Sequence, residues 1–139
     1  MADIKQVGGA AQAIATTALR AQQARMRVIA ENLANANSTA RVAGGDPYRR
    51  QTPVFRPDKM AAGTGVKLAR VEPDRSAFKV EYSPGHPSAD AKGYVKLPNV
   101  DSLVEAMDMR NAQRAYEANL NVIETARAME MRTLDLLKK

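Results

Sequence analysis

The sequence predicts a mainly α protein in which long N- and C-terminal helices pack as an antiparallel, coiled-coil-like pair, with a small β-hairpin and extended loops in the middle. All seven prolines lie between Pro47 and Pro98. The 41 residues of 99–139 contain neither proline nor glycine, and a second helix-permissive stretch covers about 10–36. Proline interrupts a helix because it lacks an amide hydrogen and clashes with the preceding turn. We therefore divide the chain into an N-terminal helical segment (1–40), a Pro/Gly-rich middle with the hairpin (41–98) and a C-terminal helical segment (99–139).

The first helix is predicted from an apolar stripe. Leu19, Met26 and Leu33 recur every seven residues, and Ile29 lies between them, which is the spacing of one face of an α-helix. The polar run at 35–39 then predicts the end of the helix.

The middle segment contains two stretches with strand character, Val66–Val71 and Ala77–Tyr82, and the second alternates strictly between apolar and charged residues. A turn-forming connector separates them, so we predict that they pair as a hairpin. Residues 40–63 and 83–97 are predicted to be extended loops. A short strand around Val54 remains an alternative for the first of these loops.

The second helix has capping signals at its start. Asn99 or Asp101 can accept hydrogen bonds from the free amides of a first turn, and Ser102 with Glu105 has the spacing of a capping box. These signals predict a helix over 99–139.

Within the second helix, one set of residues follows the 3 and 4 spacing of a heptad seam: Ala112, Ala115, Asn119, Val122, Ala126, Met129, Thr133 and Leu136. A second set of larger side chains lies beside it: Tyr116, Leu120, Ile123, Leu134 and Leu137. This apolar surface is wider than a two-stranded coiled coil requires, which indicates more than one neighbour. The polar residues Asn119 and Thr133 are either buried groups that set the helix register or the exposed edge of the face.

Composition excludes several classes of protein. The net charge is +6, but the basic excess lies in the irregular middle, interleaved with acids, and aromatic residues make up only 4% of the chain. We therefore predict no nucleic-acid binding. No apolar run approaches the length of a membrane span, and the N-terminus is too polar for a cleavable signal peptide.

Residues for catalysis or metal binding are scarce. The chain has no cysteine, and its one histidine, His86, lies in a turn rich in proline and glycine. Neither a GxSxG nor an HExxH motif occurs. We predict no enzyme activity, no catalytic or metal site and no cofactor.

Four motifs resemble a known family. Residues 18–39 read ALRAQQARMRVIAENLANANST, and residues 112–139 read AQRAYEANLNVIETARAMEMRTLDLLKK. These stretches resemble the N- and C-terminal signatures of the bacterial flagellar rod and hook proteins, and NLAN (32–35) is the most specific part. Two further segments, GGDPYRRQTPVF (44–55) and HPSADAKGYVKLPNV (86–100), are similar to the members that form the proximal rod.

The resemblance implies a structural subunit of the flagellar basal body, with both terminal helices in the inner tube of a helical assembly and the middle facing outward. Expected partners are other copies of the chain, other rod proteins, the rod's junction to the membrane ring and, during export, the flagellar type III apparatus. The expected location is the basal-body rod in the periplasmic space, reached without a cleavable signal peptide. The chain is not expected to span a membrane.

We expect three groups of residues to contact neighbouring subunits. The first lies on the N-terminal helix: Leu19, Met26, Ile29, Asn32, Leu33 and Asn35. The second lies on the C-terminal helix: Ala115, Tyr116, Asn119, Leu120, Val122, Ile123, Ala126, Met129 and Leu136. The third lies in the middle segment: Tyr48, Arg49, Arg50, Phe55 and Tyr94.

Two other classes of protein would use similar helices. A soluble coiled-coil adaptor or export chaperone fits the helices but leaves the NLAN and GGDPYRR motifs unexplained. A basic binder of nucleic acid or membrane surfaces fits the net charge alone, and its binding would be sensitive to salt.

Overall fold

The computed structural model describes residues 2–138, and side chains from residue 5 to residue 138. The elements in chain order are α1 (Ala2–Ala34), β1 (Gln51–Met60), β2 (Gly63–Pro73), β3 (Lys79–Tyr82), β4 (Tyr94–Leu97) and α2 (Ser102–Leu137). The two helices pack against each other, and the four strands form two antiparallel two-stranded sheets, β1 with β2 and β3 with β4. The predicted fold class is confirmed.

The ends of the helices differ from the prediction in detail. α1 begins before residue 10 and continues through Gly8 and Gly9. Gly8 has a packing role, because a Cβ atom there would lie 3.1 Å from Cγ of Glu130 on α2. α2 begins at Ser102, because Asp101 Oδ1 accepts hydrogen bonds from the amides of the next turn. The predicted C-terminal residue of this helix, Lys139, lies outside the described residues.

The chain forms two compact units. Unit 1 comprises Met1–Met26, Val54–Arg70 and Asn111–Lys139, and unit 2 comprises Arg27–Pro53 and Val71–Arg110. Each unit draws on both helices and on the middle segment. The division into an N-terminal helical segment, a middle segment and a C-terminal helical segment remains a prediction.

Unit 1 has a core of small side chains. Ala15 and Ala21 of α1 and Ala112 and Ala126 of α2 are all buried, which lets helix backbones approach closely. The β1–β2 hairpin docks on α1 through Thr17, whose hydroxyl accepts the Val66 amide at 3.1 Å.

Unit 2 has a core that mixes apolar and polar side chains. Val28, Ile29, Val95 and Val100 are buried with relative exposures of 4% or less. The β3–β4 sheet pairs Lys79 with Leu97 through to Tyr82 with Tyr94. Because side chains alternate along a strand, this register directs Val95 toward the core.

The predicted strand pairing is wrong. Val66–Val71 belongs to β2, which pairs with the preceding strand, while Lys79–Tyr82 pairs with β4. β1 is hard to recognise in the sequence because it contains Pro53 and Pro57, and proline has no amide hydrogen to donate to a neighbouring strand. Both strands of a two-stranded sheet have a free edge, so proline is tolerated there. The two stretches predicted as loops therefore contain β1 and β4, and β1 confirms the alternative of a strand around Val54.

Among the described residues, no helix combines the length and the apolar character needed to cross a membrane.

Candidate assembly interface

Asn32 of α1 lies at the centre of a buried polar network in unit 2. Its side chain is 1% exposed. Its amide nitrogen donates to the Gln51 carbonyl at 2.8 Å and to Glu105 Oε2 at 3.3 Å. Its amide oxygen accepts from the Tyr48 hydroxyl at 2.8 Å and from the Gln51 amide at 2.9 Å. All four hydrogen-bonding positions of the side chain are therefore used, and no aliphatic residue could replace it.

Arg50 supplies the positive charge of this network. Its Nε donates to Glu105 Oε1, and its two terminal nitrogens lie 3.3 Å from Asp74 Oδ2 and 3.8 Å from Asp108 Oδ2. Glu105 is 0% exposed and is among the largest fully buried side chains. A buried carboxylate is stable only when its charge and lone pairs are satisfied, which Arg50 and Asn32 accomplish here.

Asn99 closes the network on the side of the loops. Its amide oxygen accepts from the backbone amide of Arg50 at 2.8 Å, and its amide nitrogen lies 3.1 Å from the Asp74 carbonyl and 2.9 Å from Ser76 Oγ. Arg49 donates to the carbonyls of Asp74 and Ser76, each at 2.9 Å. These bonds fix the segments around residues 50, 75 and 99 to one another.

The network also shifts the pKa values of its members. Burial raises the pKa of the Tyr48 hydroxyl, and the negative charges of Glu31 and Glu105 raise it further. Burial alone would lower the pKa of Arg50, but hydrogen bonds and attraction to Glu105 and Asp74 outweigh this effect and raise it. Tyr48 therefore stays neutral and Arg50 stays charged at physiological pH.

The surface of α2 within unit 1 is organised around an inward stripe. Its members are the buried or half-buried Ala112, Ala115, Tyr116, Asn119, Ile123, Ala126, Glu130 and Thr133. Val122, Met129 and Leu136, which the heptad pattern assigned to the seam, are instead 46%, 62% and 74% exposed. That assignment is wrong, because Ile123 and Glu130 take the inward positions. The same three side chains remain predicted contacts with neighbouring subunits.

Two exposed apolar surfaces border the inward stripe. We define flank A as Val122, Met129 and Leu136, and flank B as Leu120, Met131 and Leu134. The flank B side chains are 39%, 67% and 51% exposed. Exposed apolar side chains that cluster on one surface, as they do on each side of this stripe, mark interaction sites.

The polar residues of the heptad pattern bond within their own helix. The Asn119 side chain donates to the Ala115 carbonyl at 2.8 Å, and the Thr133 hydroxyl donates to the Met129 carbonyl at 2.9 Å. Their hydrogen bonds therefore do not specify the register between the helices.

The residues predicted on α1 occupy two environments. Ile29 and Asn32 are buried within the chain, and Asn32 is saturated by its internal partners. Leu19, Met26 and Leu33 are half-buried and still present surface to a neighbour. Asn35 donates to the Glu31 carbonyl at 2.9 Å, which is helix-end chemistry.

The residues predicted in the middle segment also differ in their roles. Arg49 stacks on the Phe78 ring at 4.1 Å in addition to its hydrogen bonds, so its contacts lie inside the chain. Phe55 is half-buried on β1. Tyr94 is 45% exposed and meets Tyr82 edge to face, with 5.2 Å between ring centroids. Tyr94 is thus the most accessible of these candidates.

The sequence did not predict that Glu105 belongs to the buried network. Its spacing from Ser102 predicted a capping box, whereas its carboxylate accepts hydrogen bonds from Asn32 and Arg50. The sequence also predicted that His86 is a turn residue, and the structure agrees: Nδ1 of His86 accepts the Ser88 amide at 3.0 Å. The position of Glu105 among apolar residues near the start of α2 was the one signal that could have predicted a buried carboxylate with a partner.

Comparison with known families defines the class of protein. The profile of the family described as "Flagella basal body rod protein" matches residues 13–41. The profile described as "Flagellar basal body rod FlgEFG protein C-terminal" matches residues 91–136. The two matches cover the NLAN region and nearly all of α2, which places the fold and its exposed helix surface among the flagellar rod proteins.

Relatives that match nearly the whole chain show which family of rod proteins it belongs to. A protein of Agrobacterium fabrum is 47% identical over 93% of this chain and 94% of its own length, and one of Borreliella burgdorferi is 42% identical over 90% and 94%. A protein of Bacillus subtilis is 36% identical over 90% and 95%. All three carry the name flagellar basal-body rod protein FlgC. The chain belongs to this FlgC family of rod proteins.

The family fixes the general role of the chain. It is a structural subunit of the flagellar basal-body rod and assembles with other rod components. A coiled-coil adaptor or export chaperone is not favoured by these matches. The relatives are named as rod proteins, in line with a non-enzymatic role.

Proposed function

We propose that α1 and α2 form the inner tube of the rod and that flank A and flank B become buried against neighbouring subunits during assembly. The observation that carries the proposal is the exposure of apolar side chains on both sides of the inward stripe of α2, up to 74% at Leu136. Burying such side chains stabilises a contact by about 25 cal/mol per Å² of apolar surface, before the cost of association.

The middle segment would then specify the neighbours that lie farther out. Tyr94 and Tyr82 present aromatic surface on the β3–β4 sheet, and aromatic side chains are enriched in protein interfaces. Proposed partners are other copies of the chain, other rod proteins and the junction between the rod and the membrane ring. Export through the flagellar type III apparatus to the periplasmic space is part of the same proposal.

Torque transmission requires that each subunit keep its shape under load. The network of Asn32, Arg50 and Glu105 ties α1, α2 and the loop that precedes β1 into one hydrogen-bonded cluster. Contacts that do not close on themselves would join subunits that contain such a cluster into a continuous shaft. A rigid cluster within each subunit and apolar contacts between subunits together constitute the proposed mechanism.

The variant Val122→Asp tests the assembly role of flank A. A charge at a buried contact costs several kcal/mol unless it is paired, so the variant should be exported but fail to enter the rod. Ala128→Asp is the matched control, because it adds the same side chain at an exposed position on the outward face of α2. The measurements are export into the medium, the amount of protein in purified basal bodies and swimming motility.

The outcome is read from both variants. Loss of incorporation and motility for Val122→Asp, with both retained for Ala128→Asp, is the expected result. Normal motility of Val122→Asp would contradict the proposal. Recovery of the wild-type protein only in the soluble fraction, never in basal bodies, would favour the adaptor.

A further inference from the structure

The two flanks of α2 point in nearly opposite directions. Successive residues of an α-helix are separated by about 100°, so Met129 and Met131 lie about 200° apart around the axis. Val122, Met129 and Leu136 recur every seven residues and return to within about 20° of one direction at each step. One apolar flank therefore lies on each side of the inward stripe, between residues 111 and 138.

Charges of opposite sign border the two flanks. Arg132 lies three residues after Met129 and four before Leu136, which makes it a surface neighbour of flank A. Arg114 lies eighteen residues earlier, five helical turns away, and faces the same direction. The sequence over residues 111–138 places no acidic residue on this side of the helix.

Flank B has an acidic border. Glu117 and Glu124 lie three residues before and four residues after Leu120, and Asp135 lies four residues after Met131. Two cations, Arg127 and Lys138, lie on the same side, and Lys138 follows Leu134 by four residues. They reduce the acidic excess of flank B to one negative charge without reversing it. The three acids and the two arginines beside flank A are exposed, and none of the five forms an ion pair within the described residues.

We propose that flank A of one copy of this chain packs against flank B of a second copy. Such a contact joins apolar to apolar surface and places Arg114 and Arg132 beside the acids that border flank B. Pairing of two A flanks or of two B flanks would bring like charges together, which costs free energy. The proposal rests on the proposed function and adds which surface meets which.

The geometry of this contact has a consequence for assembly. Because the two surfaces differ, each copy retains an unused flank A or flank B after pairing, and the contact does not close. Copies can therefore be added side by side around the rod. A symmetric contact would stop at a dimer.

Cysteine cross-linking tests this pairing, because the chain contains no cysteine of its own. Met129→Cys labels flank A, and Met131→Cys labels flank B; both positions are highly exposed, so neither change threatens folding. Cells express the two variants together, one with a size tag, and basal bodies are isolated and oxidised. The proposal predicts mixed disulfide dimers and loss of these dimers when either variant is expressed alone.

Three results would overturn the proposal. Dimers in cells that express one variant alone would show a symmetric contact. Cross-links only to other rod proteins would identify a different occupant of the flanks. Basal bodies that contain both variants without any cross-link between copies would show that the flanks do not meet. Absence of both variants from basal bodies, together with absence of the wild-type chain, would instead count against the proposed function.

Charge exchange provides a second test that does not depend on disulfide geometry. The pair Arg114→Glu and Arg132→Glu should reduce incorporation into basal bodies, since acids would then face acids. Adding Glu117→Lys and Glu124→Lys should restore incorporation, because opposite charges meet again. Failure of the fourfold variant to recover, when it is exported at the level of the wild type, would overturn the pairing.

Discussion

At the scale of single residues, Asn32 is the most constrained side chain of unit 2. Its two donor positions and two acceptor positions are matched by Gln51, Glu105 and Tyr48 at 2.8–3.3 Å. An asparagine at the end of a helix often serves the local backbone. Here it links three distant segments instead.

The variant Asn32→Asp tests this role. A carboxylate would lose both donors and face Glu105 across a distance that is now 3.3 Å. We expect the free energy of unfolding at pH 7 to fall by about 2–4 kcal/mol, from unpaired buried groups and charge repulsion. Repulsion would raise the pKa of the introduced carboxyl, so the loss should be smaller at pH 5 than at pH 7.

Urea unfolding monitored by circular dichroism at both pH values measures this effect. Asn37→Asp is the control, because Asn37 is exposed in the turn after α1. Equal stability of the two variants would contradict the role assigned to Asn32.

Asp74 makes the stability of the fold depend on pH in the acidic range. Hydrogen bonds from the backbone and side chain of Ser76 lower the pKa of this carboxyl below its ordinary value of 3.8, and Arg50 lowers it further. A group whose pKa is lower in the folded state stabilises the fold above its ordinary pKa. That stabilisation is lost as the pH falls through the folded pKa.

The free energy of unfolding should therefore decrease as the pH falls below about 4. Asp74→Asn should destabilise the protein at pH 7 and show a flatter decrease in acid, because the titrating group is absent. Urea unfolding between pH 2.5 and pH 7 compares the two proteins. Parallel curves would contradict the contribution of Asp74.

At the scale of residues, the sequence drew attention to Asn32 through the NLAN motif. Its partners could not be predicted, because Tyr48, Gln51 and Glu105 lie 16, 19 and 73 residues away along the chain. Glu105 in particular has capping-box spacing with Ser102. Only the folded structure shows that this carboxylate is buried.

At the scale of elements, the β1–β2 hairpin depends on a close approach to α1. A Cβ atom at Gly65 would overlap the Thr17 hydroxyl oxygen and lie 3.1 Å from the Met60 methyl carbon. That hydroxyl accepts the Val66 amide and donates to the Ile14 carbonyl at 2.7 Å. Moving it aside would break the contact that docks the hairpin.

The variant Gly65→Ala should lower the free energy of unfolding by about 1–3 kcal/mol, because overpacking displaces Thr17. Hydrogen exchange at the Val66 amide should also become faster. Gly85→Ala is the matched control, since no atom lies within 4 Å of a Cβ built there. A stability loss as large for Gly85→Ala would show that the effect does not come from the Thr17 contact.

The two helices could be predicted because each has a clear signal in the sequence. The absence of proline and glycine predicted α2, and the apolar stripe predicted α1. The strands were harder, because β1 contains two prolines and β4 has only four residues. The heptad pattern also misplaced Val122 and Met129, since Ile123 and Glu130 take the inward positions instead.

At the scale of the whole molecule, the chain keeps its polar network inside and much of its apolar surface outside. Among the side chains that the structure describes, the four largest fully buried ones include the polar Glu105 and Asn32, while Met129, Met131 and Leu136 are more than 60% exposed. Exposed apolar side chains do not stabilise a soluble monomer. They stabilise a subunit whose neighbours bury them on assembly.

The central claim is that assembly buries the apolar flanks of α2, and thiol labelling tests it most directly. Met129→Cys places one cysteine at a position that is 62% exposed in the single chain. A maleimide reagent is applied to the purified subunit, to intact basal bodies and to basal bodies dissolved in denaturant, which controls for total thiol. The account predicts fast labelling of the free subunit, protection in intact basal bodies and recovery on dissolution; equally fast labelling in intact basal bodies would contradict it.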